Sequence, residues 1–284
     1  MIENSLFLSA PITACILFAG ILGYFGNHVL TRGIIFIDIA LAQVAALGTM
    51  IGLLLGFADG SLSLEMVSLA FTVVIISIFA LTKFEKQIIP QEAIIGIIYG
   101  LGLGLAMLLA EKISGGSNYI TKTITGNILW VTWDQIISTS ILFAAIAVIH
   151  FFLRKQFIAI SESRENLPYS ISKVRIYELI FYITFAFVVV RAVPIAGIFL
   201  VFVLLIAPTA IATLFTGNWK LRFIWSWIIG ILGSIAGIYV SYSMNISNGP
   251  AIVCLLGVSV FIFTFVKIFI NGKCVESQEN GGAA

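Results

Sequence analysis

The sequence predicts an all-α fold, a polytopic bundle of about nine helices that cross the inner or plasma membrane. Of the 284 residues, 60% are hydrophobic and only 10% are charged, whereas a soluble domain carries about 25% charged residues. The mean hydropathy is +1.13. A chain this apolar lacks the polar surface that water requires, so most of it must lie in the lipid bilayer. The net charge of +2 is too small to suggest a nucleic-acid partner.

Long apolar segments define the expected helices, because a spanning helix needs roughly 20 apolar residues. The nine candidates are Leu6–Phe25, Gly33–Phe57, Leu62–Thr82, Ala93–Ala110, Gln135–Leu153, Ile176–Val190, Pro194–Thr216, Phe223–Ser243 and Pro250–Ile270. The sixth and seventh are separate only if the chain turns near Arg191–Pro194, where a proline suits the first turn of a new helix. We therefore expect one transmembrane domain at residues 1–270 and a polar tail at residues 271–284.

The basic residues predict the orientation of the bundle. With nine spans, the loops on the same side as the C-terminus hold twelve of the fifteen Lys and Arg residues. The other side holds Lys112, Lys122 and Arg191. Cytoplasmic loops are enriched in Lys and Arg, so we expect the N-terminus outside and the C-terminus inside. The long loop at residues 154–175 is then cytoplasmic.

Two sets of glycines recur at helical spacing within the predicted spans. They are Gly48, Gly52 and Gly56 in the second span, and Gly96, Gly100 and Gly104 in the fourth. Small residues every four positions let another helix backbone approach closely. Helix packing is the favoured interpretation, and a pathway lining is the alternative.

Several motifs for chemistry are absent from the sequence. It contains no G-x-x-x-x-G-K-[ST] phosphate loop, so this chain is not expected to bind ATP in that way, and it contains no H-E-x-x-H. We predict no catalytic residue and no cofactor. The two histidines are far apart, His28 in a predicted cytoplasmic loop and His150 near the end of a span. We interpret both as interfacial or capping groups.

Asp38 and Gln43 interrupt the second predicted span. An ionised Asp in a helix centre costs about 2.5–3.5 kcal/mol on insertion scales, so such a residue usually faces protein or water. Five residues turn a helix by about 500°, which leaves the two side chains some 140° apart and makes a shared ion difficult. Gln43, near the membrane midplane, is either a pathway contact or an interhelical hydrogen-bonding group. Asp38 is either a pathway contact or a structural group at the helix start.

Five segments, in order along the chain, resemble the permease subunits of ATP-binding-cassette importers for metal ions. They are R-G-I-I-F-I-D-I-A-L-A-Q-V-A-A-L-G at Arg32–Gly48, E-A-I-I-G-I-I-Y-G at Glu92–Gly100, T-G-N-I-L-W-V-T at Thr125–Thr132, A-V-P-I-A-G-I-F-L-V-F-V-L-L-I-A-P-T-A-I-A at Ala192–Ala212, and N-G-P-A-I-V at Asn248–Val253. The family usually has Asp where Asn127 stands.

The resemblance implies a homodimeric permease, a separate ATPase subunit that binds ATP, and an extracytoplasmic metal-binding protein. It also implies import of zinc, manganese or iron. The family commonly carries a His where Gln43 stands and an Asp where Ile39 stands, so Asp38 is offset by one position. A neutral amide is a poor ligand for Zn²⁺. Asp38 and Gln43 are therefore predicted as candidate metal contacts.

A permease without a phosphate loop needs an element that docks on its ATPase. The segment Phe157–Ser172 occupies the coupling region of the family, and we predict that Glu162, Ser163, Arg164 and Glu165 contact the ATPase. A solvated charged loop is the alternative.

Two rival functions are a secondary, ion-coupled transporter of a small solute and an intramembrane enzyme. Asp38 is the only acidic residue predicted well inside a span. A single carboxylate provides few groups for a proton or sodium relay.

Overall fold

The computed structural model of the chain describes residues 2–81, 89–162 and 169–281. These residues form eleven α-helices, joined by short loops and one 3₁₀ turn at Ile128–Trp130. The helices are α1 (Ile2–Arg32), α2 (Ile37–Leu54), α3 (Leu62–Leu81), α4 (Gln91–Ala110), α5 (Gly116–Thr125), α6 (Trp133–Phe152), α7 (Arg154–Glu162), α8 (Ile171–Ala196), α9 (Ile198–Phe215), α10 (Trp219–Met244) and α11 (Asn248–Gly281). Helix α11 extends into the segment that the sequence marks as a polar tail.

Nine of these helices are long and apolar enough to cross a membrane, counted over the described ranges. The two short helices, α5 and α7, lie between spans. The all-α class and the nine spans are therefore confirmed. A helix satisfies its own backbone hydrogen bonds, which is why apolar segments in lipid adopt this structure. The sides on which the two termini lie stay a prediction.

Two helix boundaries differ from those expected. Helix α1 continues to Arg32, so His28 lies inside the first helix and not in a loop. Helix α8 continues through Arg191 and Pro194, and the chain turns at Gly197, whose φ is 84°. Pro194 lacks the N–H that would bond to the carbonyl of Val190, so it removes one backbone hydrogen bond from the last turns of α8. A glycine with positive φ is the usual place for a helix to end.

The helices pack in two groups that share α8. Helix α2 packs between α3 and α4, while α1, α9, α10 and α11 pack against one another. Helix α8 contacts α3 and α2 on one side and α9 on the other. The most enclosed spans are α2 and α8, of which 78% and 67% of the residues are buried, against 11% for α11. The buried polar residues of these two helices, among them Asp38, Gln43 and Glu178, therefore lie inside the bundle.

The two glycine sets have different surroundings. A Cβ atom added to Gly48 would lie 2.9 Å from Cα of Ser68, and one added to Gly52 would lie 2.5 Å from Leu64. These glycines let α3 approach α2, as the helix-packing interpretation predicts. The stripe Gly96, Gly100 and Gly104 on α4 has no atom within 4 Å among the described residues. No described helix of the same chain packs on this stripe, so the packing interpretation stays a prediction for α4.

Candidate functional site

Asp38 lies in the first turn of α2 and is 1% exposed. Its Oδ1 atom accepts no hydrogen bond from the residues that the structure describes. An N-terminal turn is a favourable place for a carboxylate, because the helix dipole is positive there. The structure thus places a carboxyl group inside the helical bundle, and its Oδ1 atom can accept a further hydrogen bond.

Gln43 is 5% exposed and packs against α4. A Cβ atom on Gly102 would lie 3.2 Å from Cβ of Gln43, so the backbone of α4 approaches closely at this point. Helix α2 is continuous from Ile37 to Leu54, so Asp38 and Gln43 leave the helix in directions about 140° apart. The structure therefore does not bring the two candidate metal contacts together. No group of three or more His, Cys, Asp or Glu that could hold a metal ion occurs in the described residues.

The sequence reasoning missed a polar cluster at the outer ends of three helices, as the predicted topology orients them. Arg191 of α8 forms an ion pair with Glu65 of α3. Its guanidinium also donates to Ser138 and, over 3.1 Å from Nε, to Thr139 of α6. These groups border a cleft of 280 Å³ between the helices. Arg191 stays inside a helix because its charge is paired there.

The expectation that Asp38 is the only acidic residue well inside a span is wrong. Glu65 lies in the span of α3, and Glu178 lies in the span of α8 and is only 3% exposed. Glu65 is in the first turn of α3, where an acidic residue is readily taken for a loop residue, whereas Glu178 lies deeper, eight residues into α8. The sequence feature that could have indicated Glu65 is Arg191, the one arginine on the side predicted to be external. An arginine inside a membrane bundle needs an acidic partner.

Helices α1, α6 and α8 meet the short helix α7 at the ends that the predicted topology places inside. Ser161 of α7 is buried, and its Oγ lies 2.9 Å from Nδ1 of His28 and 2.9 Å from Nε of Arg32. The same hydroxyl lies 2.8 Å from the carbonyl oxygen of Phe157. Arg32 also places its guanidinium 3.9 Å from the ring centre of Phe181. Helix α1 is therefore bound to α7 by polar contacts in a dry, aromatic environment.

The two histidines are neither interfacial nor capping groups, so that interpretation is wrong. His28 and His150 are 1% and 3% exposed. His150 contacts Thr184 through Nε2 (2.8 Å) and the hydroxyl of Tyr24 through Nδ1 (3.1 Å). Both rings lie within 5.2 Å of the Tyr24 ring, centre to centre. The longer α1 carries His28 into the bundle, where the histidines join helices α1, α6, α7 and α8.

Of the four predicted ATPase contacts, the structure describes Glu162. It is exposed at the end of α7 and accepts a hydrogen bond from Nε1 of Trp219, at the start of α10. Ser163, Arg164 and Glu165 lie outside the described residues. Glu162 thus lies at the surface of the protein beside the start of α10.

The five segments that carry the family resemblance meet in space at two junctions. At one, Oε1 of Glu92 accepts the backbone N–H of Ile35 over 2.6 Å, which ties the start of α4 to the start of α2. At the other, a Cβ atom on Gly126 would lie 2.1 Å from the carbonyl oxygen of Ala196, and one on Gly249 would lie 2.6 Å from that of Thr125. The motifs therefore mark points where separate helices contact each other through backbone atoms.

A nine-span helical bundle with paired polar groups inside it defines a multi-pass membrane protein. The chain belongs to the ABC 3 transport family, whose model matches residues 4–268. It is 23% identical over 181 residues to a probable metal transport system membrane protein of Chlamydia muridarum, an alignment that covers 64% of this chain and 62% of that protein. It is 24% identical over 264 residues to the manganese transport system membrane protein MntC of Halalkalibacterium halodurans, covering 91% of this chain and 86% of that protein.

Among solved structures, the fold is similar to that of PsaBC from Streptococcus pneumoniae in complex with Fab. The TM-score is 0.72 at 22% sequence identity, and the match covers 93% of this chain and 95% of that one. At this identity the likeness establishes the fold and leaves the site residues to be argued from the chain itself.

Proposed function

We propose that the chain is the membrane-spanning subunit of an ABC importer for a divalent metal ion, powered by a separate ATPase. Membership of the ABC 3 transport family over nearly the whole chain supports this proposal. Two relatives described above are named as metal or manganese transport membrane proteins. The chain itself has no phosphate loop, so ATP hydrolysis is assigned to a partner.

The proposed assembly contains two copies of this chain, two ATPase subunits and an extracytoplasmic metal-binding protein. The open glycine face of α4 supports pairing with a second copy, because small residues allow close contact between helices in lipid. The loop at residues 154–175, with Glu162, Ser163, Arg164 and Glu165, is the proposed docking element for the ATPase. Closure of the two ATPases would tilt the helices and open the pathway alternately to each side.

Asp38 and Gln43 are the proposed contacts for the ion, at successive positions along the pathway and not in one shared site. The unpartnered Oδ1 of Asp38 supports the first assignment. Carboxylate and carbonyl oxygens without imidazole suit manganese, whereas iron and zinc more often take imidazole nitrogen as well. We therefore place manganese ahead of iron and zinc as cargo.

Co-purification and transport test this function directly. The tagged full-length chain is purified from its own host, the bound proteins are identified, and the complex is placed in proteoliposomes with ATP inside or outside. Uptake of radioactive Mn²⁺ that requires ATP and a co-purified ATPase is the expected result. Transport by this chain alone, driven by a proton or sodium gradient, would instead establish the secondary transporter.

A further inference from the structure

Helix α7 is anchored at both ends. Leu153 alone separates it from α6, and its buried face carries Phe157, Ile160 and Ser161. The ring of Phe157 is fully buried, 4.5 Å from the His150 ring and 5.7 Å from the Phe181 ring, centre to centre. Apolar contacts of this kind hold α7 against the bundle, but they are not directional and allow it to slide.

The directional contacts of α7 go to α1 and α10. Ser161 binds two side chains of α1 one turn apart, His28 and Arg32, each at 2.9 Å. Glu162 accepts the indole N–H of Trp219 of α10. Hydrogen bonds weaken steeply when their angle changes, and a buried bond to a charged group is costly to break.

Trp219 also links α10 to α1. Its ring lies 4.8 Å from the His28 ring, and the Arg222 guanidinium lies 5.2 Å from the Trp219 ring centre. Arg222 in turn donates to the hydroxyl of Thr31 over 3.3 Å. The inner ends of α1 and α10, which also pack along their lengths, therefore form one body with the C-terminal end of α7.

We infer that Ser161 and Trp219 are positioning residues that transmit a displacement of α7 to α1 and α10. The inference rests on the proposed function, because α7 precedes the segment that we propose as the docking element. Without these two residues, the apolar contacts on the Phe157 side of α7 would still hold it against the bundle. A displacement of α7 would then slide it along the bundle and would not move α1 and α10. Hydrolysis by the ATPase would then continue while transport per ATP falls.

The test uses the complex purified from the host, reconstituted in proteoliposomes, with Mn²⁺ uptake and ATP hydrolysis measured on the same sample. The test variants are Ser161→Ala, Trp219→Phe and the pair together. Ser226→Ala is a matched control, because Ser226 is a buried serine of α10 whose hydroxyl donates to Arg222 O in its own helix. Trp227→Phe is the second control, since its indole N–H binds Ile16 O of α1, away from α7.

We expect about a ten-fold fall in Mn²⁺ transported per ATP for the double variant, since a hydrogen bond to a charged group is worth about that factor in an equilibrium. Each single variant should show a smaller fall and each control a ratio close to wild type. A folded test variant that lowers uptake and hydrolysis together, and so leaves their ratio unchanged, would overturn the inference.

A wild-type complex that contains no ATPase would refute the proposed function, and the linkage, which depends on that function, would be refuted with it. A functional wild type with unchanged ratios in the test variants would refute the linkage and leave the proposed function intact. Trp219→Phe keeps an aromatic ring beside His28 while it removes the N–H that Glu162 accepts, so it decides the question if Ser161→Ala fails to fold.

Discussion

Replacing Gly197 by alanine tests whether backbone contact between motifs holds the bundle together. Gly197 has φ 84° and ψ 155°, a region occupied almost only by glycine, in which other residues cost about 1–3 kcal/mol. An added Cβ atom would also lie 2.4 Å from the backbone N of Gly126 and 2.6 Å from the carbonyl C of Thr125. Backbone atoms on both sides leave no flexible side chain to move aside.

The steric overlap adds about 1–3 kcal/mol, so the total loss is about 2–6 kcal/mol, against a typical stability of about 5–15 kcal/mol. The measurement is thermal unfolding of the detergent-solubilised protein, followed by size-exclusion chromatography of heated samples. Gly257→Ala in α11 is the matched control, because no atom lies within 4 Å of its added Cβ and alanine favours a helix by about 0.5–1 kcal/mol. A Gly197→Ala protein as heat-stable as Gly257→Ala would show that the junction does not bear on stability.

Three further predictions follow from single contacts. Arg191→Gln should destabilise the outer ends of α3, α6 and α8 by about 1–2 kcal/mol, allowing for partial exposure of the pair, and faster amide hydrogen exchange there would show it; unchanged exchange would contradict the role of the ion pair. Glu92→Ala should cost about 1–2 kcal/mol because it leaves the N–H of Ile35 without its acceptor, as measured by thermal unfolding, and Glu92→Gln, which keeps an acceptor oxygen, should lose less. Asp38→Ala and Gln43→Ala should each lower Mn²⁺ uptake in whole cells without lowering protein abundance, and normal uptake in both would remove them from the pathway.

The structure changes how the polar residues of the spans are understood. The sequence predicts that His28 and Arg191 lie in loops, because a polar residue at the edge of an apolar segment resembles the end of a helix. In the folded protein, Ser161 contacts His28, and Glu65, Ser138 and Thr139 contact Arg191. Their partners come from distant segments, so hydropathy alone could not predict that these residues lie inside helices.

For the two candidate pathway residues, one feature follows from the sequence alone and another requires the tertiary structure. The angle between Asp38 and Gln43 follows from helical geometry and required only the sequence. What each side chain meets required the packing of α2: Gln43 lies against Gly102, whereas Oδ1 of Asp38 meets no hydrogen-bond partner in the described chain. The contacts of Ser163, Arg164 and Glu165 with an ATPase stay a prediction.

The sequence by itself determined the class of the protein, the number of spans and the segments that resemble the family. Hydropathy is a local property, and a helix in lipid forms its backbone hydrogen bonds within its own segment, so both can be inferred without knowing any neighbour. Only the tertiary structure decided which glycines pack, where the charged residues find partners and that α7 is bound to α1 and α10. Those features depend on contacts between different helices, whose residues are as much as 133 positions apart for His28 and Ser161, and no local pattern encodes them.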